Sequence, residues 1–371
     1  MVTGGRRDEA ALAEGLGRWV AAHPELVPGA GAAGGEAATV EIARLEHAEG
    51  GMANETVLVE FARTEWDAGA GTGQGTGLDT GQDTGPGMVV RLAPLAPTFP
   101  WYDLGPQAAV QNAVAASGIP APAPSVVEDD PEWIGAPFLA MPRVHGDIAG
   151  PAPAFDPYVQ ESGPAFQRVM YDGLIDTVVA VHDVPWEASG LGEFLPGPGL
   201  RDAVTRWTTY VAWSSEGDPL PALGEALDWC GRHVPPEREP VLLWGDVRLG
   251  NLVLDDERRV VAVLDWDLAS VGPREMDLGW HFGLEFMMEE LFGRRVPGFP
   301  SRLEALERYE RRSGYQVQHL AWHEVFALVR ALAINDRHQR ITGDSRRRDN
   351  PMGDVLLARL EAAADEGRPA T

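Results

Sequence analysis

Residues 240–280, PVLLWGDVRLGNLVLDDERRVVAVLDWDLASVGPREMDLGW, are the stretch on which the fold turns. The apolar run Pro240–Trp244 reads as a strand that stops at Gly245-Asp246. Four residues on, Asn251 opens a second strand, NLVLD. Asp255–Arg258 supply a turn, and RVVAVLD returns antiparallel to place Asp265 at its end. Asp246, Asn251 and Asp265 are therefore expected to meet at one end of a β-hairpin. Two carboxylates and an amide oxygen gathered there make a hard-oxygen site suited to Mg²⁺. Any one of these acids alone reads as a turn or capping residue; the set on this strand pattern reads as a metal site.

Upstream, DEAALAEGLGRWVAA (8–22) has leucine and tryptophan at helical spacing, and Pro24 and Pro28 close it. A Gly/Ala linker at Pro28–Gly35 contains a formal GxGxxG, Gly29 to Gly34. A helix end precedes it and a strand follows, the reverse of a dinucleotide-binding context, so it reads as a linker. TVEIARLEH (39–47), ETVLVEFA (55–62) and MVVRL (88–92) are strand-like. Between the last two lies a Gly/Thr-rich insert, 67–87, whose composition is too poor in apolar residues to order itself. It is expected to be flexible and dispensable: replacing it with a short Asn-Gly turn should leave the melting temperature and activity nearly unchanged. GPQAAVQNAVAAS (105–117) reads as a helix and APFLAMPRV (136–144) as a further strand.

Beyond His145 the pattern turns helical, with apolar stripes at 166–184, 220–234, 276–292, 301–313 and 321–340. The Arg346–Arg348 run reads as a solvated loop. The resulting class is α+β: an N-terminal helix and linker over 1–35, a small antiparallel β N-lobe over 36–144, and a larger, mostly helical C-lobe over 145–371.

Composition removes several chemistries. All 30 basic residues are arginine, so there is no Schiff-base lysine and no Walker A phosphate loop. Cys230 is the one cysteine, which excludes an intrachain disulfide, a zinc ribbon and a CxxC pair. A formal net charge of -26 argues against a nucleic-acid partner. No run of about 18 apolar residues occurs, so no membrane partner is expected, and a reducing, cytoplasmic setting is.

Trp244-Gly245-Asp246-x4-Asn251 with Leu264-Asp265-Trp266 resembles the aminoglycoside phosphotransferase and choline kinase-like family, which has the protein-kinase fold. Gly50–Thr56 is similar to the family's phosphate-covering turn, and Gly135–Phe138 precedes a hinge-like Met141-Pro142-Arg143-Val144. Pro297–Ser301 and Trp322–Phe326 resemble the branch related to the kinase domain of acyl-CoA dehydrogenase 10. About 300 residues are covered, out of 371.

The resemblance implies a bilobal kinase-like fold and transfer of the γ-phosphate of ATP to a hydroxyl of a small-molecule acceptor, aminoglycoside-like or hydroxyacyl-type. It implies Asp246 as the catalytic carboxylate, Arg248 beside the γ-phosphate, and Asn251 and Asp265 as Mg²⁺ ligands. It implies Arg91 as the phosphate-pairing residue and Gly51 and Asn54 in the turn over the phosphates. Pro142 would offer a backbone carbonyl and Val144 an N–H to the adenine edge; proline keeps its acceptor there. Asp277 would support the catalytic loop.

Two departures bear on activity. Trp244 stands where the family writes His, and is expected to pack under the catalytic loop. No acid lies between Asp103 and Glu128 to pair with Arg91, and Gln107 is the nearest match by spacing. These motivate an alternative, a nucleotide-binding pseudokinase; a metal-dependent phosphohydrolase using Asp246 and Asp265 is a third reading. Trp207, Tyr210 and Trp213 read as core or as part of an acceptor pocket. Glu285, Glu289 and Glu290 read as a solvated helix face or a cation-binding rim. The histidines, with no metal-binding spacing, read as ordinary polar or core residues.

Overall fold

Alternation of Val57, Val59 and Phe61 with half-exposed neighbours makes Glu55–Phe61 a strand with one buried face. Met88, Val90 and Leu92 do the same for Gly87–Leu92. In the computed structural model, which describes residues 7–23, 26, 41–48, 54–62 and 87–366, these are β2 and β3 of a five-stranded antiparallel sheet. Its strand order is β1-β2-β3-β5-β4, with β1 at Ile42–His47, β4 at Val126–Glu128 and β5 at Phe138–Pro142. The Gly29–Gly34 linker and residues 67–86 of the insert lie outside the described residues.

Helix α1 (Glu9–Ala22) starts at Asp8, whose side chain accepts from Ala11 N. Its stripe Leu12, Leu16, Trp19 and Val20 packs on the buried face of β2 and β3, so α1 shares the core of this lobe. The other face of β5 carries Leu139 and Met141, which pack on Leu104 and Ala108 of α2 (Leu104–Ala116). The side-chain period of two leaves Arg91 on that same opposite face, toward α2 and the cleft.

The second lobe is mostly helical. After α3 (Pro157–Glu161) come α4 (Gly163–His182), α5 (Leu200–Ser214) and α6 (Pro221–Arg232), then short strands β6 (Val241–Leu243), β7 (Leu252–Leu254), β8 (Val260–Val263) and β9 (Ser270–Gly272). The 252–263 pair forms the expected hairpin, while β6 pairs with β9. Helices α7 (Glu275–Phe292), α8 (Arg302–Ser313), α9 (Leu320–Thr342) and α10 (Met352–Glu366) complete it. A Cβ on Gly279 would lie 2.6 Å from the backbone of His323, so glycine is what lets α7 and α9 cross so closely. Among the described residues no helix is long and apolar enough to cross a membrane.

The 345–349 segment corrects one expectation. It is a short 3-10 turn in which Arg347 bonds Asp336 at 2.7 Å and Asp218 at 2.5 Å, so that residue is a staple and not part of a solvated loop. The contiguous charges hid this, because one partner lies 129 positions away and the other on the preceding helix. Asp336 is buried and also takes Arg340 at 3.1 Å. Asp336→Ala would leave Arg347 and Arg340 with Asp218 as their remaining partner and should destabilise the fold by about 1–3 kcal/mol, read by urea denaturation.

Candidate active site

The loop after β6 is held from behind. Asp277, on the first turn of α7, accepts from Trp244 N and Gly245 N, each at 2.8 Å, and from His182 Nε2 at 3.1 Å. Gly245 has φ +89°, and a Cβ there would sit 2.1 Å from Leu268 O. Only glycine fits this turn. The Trp244 indole is buried beneath, donating from Nε1 to Leu264 O at 2.8 Å. Tryptophan in that place therefore packs under the loop, as expected.

A second support was not foreseen. Arg330 of α9 is buried, lies over the rings of Trp207 and Trp280 at 5.2 and 4.7 Å, and donates to Gly245 O at 3.3 Å. No carboxylate among the described residues comes within ion-pair distance of it, and burial lowers its pKa to about 10. Trp280 in turn donates to Asp246 Oδ1 at 2.8 Å. The other oxygen of Asp246 accepts from Asn251 Nδ2 at 2.7 Å and Arg248 Nε at 2.8 Å. Asn251 Nδ2 also reaches Asp246 O at 2.9 Å, which leaves the Asn251 amide oxygen as its remaining acceptor.

Asp265 closes the hairpin at φ +64°, a left-handed conformation that Asp tolerates better than most residues. Arg91 Nη2 lies 3.4 Å from its Oδ1, and Nη1 donates to Gln107 Oε1 at 3.3 Å. Gln107 thus does hold the guanidinium in place of the absent glutamate. Burial works against the Arg91 charge, but Asp267 and Asp265 outweigh it.

Asp267 was missed by the sequence reading. It accepts from Asn54 Nδ2 at 2.5 Å across the lobes, and Asn54 is itself fixed by the Tyr102 hydroxyl at 2.7 Å. Arg91 Nη1 lies 3.7 Å from Asp267 Oδ1, an oxygen that is buried without a hydrogen bond among the described residues. Burial, and then Asp265, raise the Asp267 pKa. The D-x-D spacing of 265 and 267 was the available signal.

Asn54, Arg91, Asp246, Arg248, Asp265 and Asp267 all face one cavity of about 440 Å³ between the lobes. Pro142 and Val144, at the end of β5, do not line it, and Gly51 lies outside the described residues. The far wall comes from α4, α7 and the 294–299 segment. Glu285 is on that wall, bonded by the Tyr171 hydroxyl at 3.0 Å, which corrects the solvated-face reading for this residue. Glu289 pairs with Arg295 at 2.6 Å, and Glu290 is exposed. Trp207 and Tyr210 belong to the core, with Tyr210 OH donating to Thr98 O at 3.0 Å. The buried His182, His281 and His323 gather no metal cluster among the described residues.

Several known proteins are similar to this chain. Acyl-CoA dehydrogenase family member 11 from Gallus gallus is 32% identical over 196 residues, 52% of this chain and 24% of the relative. The human protein of that name is 29% identical over 59% of this chain and 28% of its own length, and mouse acyl-CoA dehydrogenase family member 10 is 28% identical over 46% and 16%. The chain thus spans less than a third of the length of these curated relatives. Among solved structures, a Ralstonia eutropha JMP134 protein named as a candidate aminoglycoside phosphotransferase superposes with TM-score 0.65 at 23% identity, covering 94% of this chain and 98% of its own. A macrolide 2'-phosphotransferase from Brachybacterium faecium gives 0.53 at 18% identity, with 93% and 97% covered. These likenesses establish the protein-kinase-like bilobal fold. Residues 78–316, more than half of the chain, match the APH phosphotransferase enzyme family, and with the loop, hairpin and cleft just described the chain belongs to that family.

Proposed function

We propose that this chain is an ATP-dependent, Mg²⁺-requiring kinase that phosphorylates a hydroxyl of a small molecule. The observation that carries the reading is the placement of Asp246, with Arg248 and Asn251 on its carboxylate, in the same cavity as Arg91, Asp265 and Asp267. Asp246 is fixed by three donors, so its carboxylate is aimed without having to reorganise, and it would orient the acceptor hydroxyl and take its proton. Arg248 would face the equatorial oxygens of the transferring group. Arg91, steadied by Gln107, would pair with phosphates nearer the N-lobe.

The residues fit a hard divalent ion. Asp265, the Asn251 amide oxygen and Asp267 Oδ1, which accepts no hydrogen bond among the described residues, are all oxygen donors. Mg²⁺ is usually held by one or two carboxylates plus phosphates and water, a set that Asp265 and Asp267 could begin. When bound, the ion would neutralise charge on the phosphates. A cytoplasmic setting accords with ATP as donor and with the single buried thiol of Cys230.

The cavity wall supports a hydroxyacyl-type acceptor over a polycationic aminoglycoside. Leu174, Val247, Leu249, Leu284, Met287 and Phe299 give it an apolar surface, and Arg294 adds positive charge, while Arg248 and Arg295 are paired with Asp246 and Glu289. Of its acids, Glu289 is already paired with Arg295. Trp244 packed under the loop and the Arg91–Gln107 hydrogen bond support the active-kinase reading over the pseudokinase alternative. Following ADP while MgATP is offered with hydroxyacyl thioesters, hydroxy acids and aminoglycosides tests the proposal. Transfer to a hydroxyl supports it. Nucleotide binding without turnover would favour the pseudokinase, and phosphate release from monoesters without ATP would favour a hydrolase.

A further inference from the structure

Asn54, the residue before β2, is held at both ends of its amide. Its Nδ2 donates to Asp267 Oδ2 at 2.5 Å, and its Oδ1 lies 2.7 Å from the Tyr102 hydroxyl. Chemistry fixes which end is which. An amide nitrogen only donates, so the Asp267 oxygen beside it accepts. The amide oxygen is left for Tyr102 and only accepts, so the hydroxyl donates. Asn54 lines the same cavity as Arg91, Asp265 and Asp267, yet both ends of its amide are taken up by protein groups.

Both partners are placed by the second lobe. Asp267 lies two residues beyond Asp265, in the loop between β8 and β9. Tyr102 lies on the connector between β3 and α2, which is tied to α5 and α9: Thr98 O accepts from the Tyr210 hydroxyl at 3.0 Å, and Pro97 O from Arg337 Nε at 3.2 Å. The Trp101 ring sits 5.6 Å from that of Tyr210 and 6.4 Å from that of Trp207. What Asn54 does for Asp267 follows from the neighbours of the carboxylate. Oδ1 accepts no hydrogen bond among the described residues, and Arg91 Nη1 is 3.7 Å from it. Left alone, a carboxylate beside a guanidinium favours turning both oxygens onto it. With Asn54 on Oδ2, that turn is opposed. Oδ1 stays open, and Arg91 stays with Gln107 and Asp265.

We propose that Asn54, oriented by Tyr102, is a positioning residue for the metal: it holds the Asp267 carboxylate with Oδ1 open to Mg²⁺ and so joins the start of β2 to the metal site. The inference rests on the proposed function in taking Mg²⁺ with a nucleotide as the ligand; it does not require transfer to a hydroxyl. A direct contact between the Asn54 amide and a phosphate would strengthen nucleotide binding with or without Mg²⁺. A role through Asp267 instead sets how much affinity Mg²⁺ adds.

The test needs no acceptor. The non-hydrolysable analogue AMP-PNP is titrated into the full chain by competition calorimetry, once with Mg²⁺ and once with EDTA, and the gain in affinity that Mg²⁺ confers is the readout. Asn54→Ala should cut that gain by about ten-fold, the low end of the cost of losing an outer partner of a metal site, while affinity in EDTA stays within a few-fold. Tyr102→Phe removes only the hydroxyl and should cut the same gain by less. Both effects should pass along the chain of contacts. Asn54→Ala should take nothing more from the gain once Asp267→Ala is in place, and Tyr102→Phe nothing more once Asn54→Ala is in place. The proposal is overturned if the gain is unchanged in Asn54→Ala, if affinity falls equally with Mg²⁺ and in EDTA, if the loss persists in full on the Asp267→Ala background, or if wild type gains nothing from Mg²⁺. Mg²⁺-dependent binding without transfer to any hydroxyl would refute the kinase reading and leave this proposal standing. Transfer with an unchanged Mg²⁺ gain in Asn54→Ala would do the reverse.

Discussion

Asp246→Asn is expected to lower phosphoryl transfer by on the order of 10² to 10⁴-fold, the range for a positioned acid–base group, while MgATP affinity stays within a few-fold. Asparagine keeps the size of the side chain. It can still receive Trp280 Nε1 or Arg248 Nε on its one oxygen, so the loop should stay in place. What it cannot do is accept the hydroxyl proton or present a negative charge. ADP formation with a confirmed acceptor and nucleotide affinity by calorimetry are measured on the same preparation. If Asp246→Asn retains most of its activity, the mechanism is wrong at its centre. A hydrolase reading makes a different demand, that this change weaken metal binding as much as a change at Asp265.

The second large effect belongs to Asp265. Asp265→Ala should lower metal-dependent nucleotide affinity by ~10²-fold or more, since changing even the outer partners of a metal site costs 10–100-fold. Alanine also brings a backbone problem. With φ at +64°, position 265 favours Asp or Asn over alanine, so a fall in Asp265→Ala could mix lost charge with a disturbed turn. Asp265→Asn separates the two, keeping the left-handed conformation and removing the carboxylate. Both variants should lose the Mg²⁺-dependent part of ATP affinity, and Asp265→Asn should melt close to the parent. Unchanged metal dependence in both would remove Asp265 from the metal site.

The parts of this molecule that could be read from sequence are those whose chemistry is local. Asp246, Asn251 and Asp265 meet because a short loop and a two-stranded hairpin fix their separation, and both were visible as apolar runs broken at a turn. Gln107 could be matched to Arg91 because helix spacing sets which residue faces the sheet. Glu285 could not be read the same way. Its neighbours Glu289 and Glu290 suggested a wet helix face, and only the arrival of Tyr171 from α4 puts it on a cavity wall. Asp267 and Asn54 are 213 positions apart, and their bond exists because the two lobes meet there. Helix α10 and strand β4 were absent from the sequence reading. Leu356 and Leu360 of α10 find their partners in a core built from earlier helices, and β4 is only three residues long.

Arg330 has a consequence for how this protein tolerates change. Its charge is held by two indole faces and a backbone carbonyl, with no acid partner among the described residues to be altered in compensation. Trp207, Trp280 and Arg330 sit on three different helices and form one energetic unit, so substitutions there should not be independent. Arg330→Met should be costly alone, and so should Trp280→Phe, yet the double change should cost clearly less than their sum. Once the buried guanidinium is gone, the second indole no longer has a cation to shield. A viable route to a different residue at 330 therefore passes through the tryptophans first, or together with them.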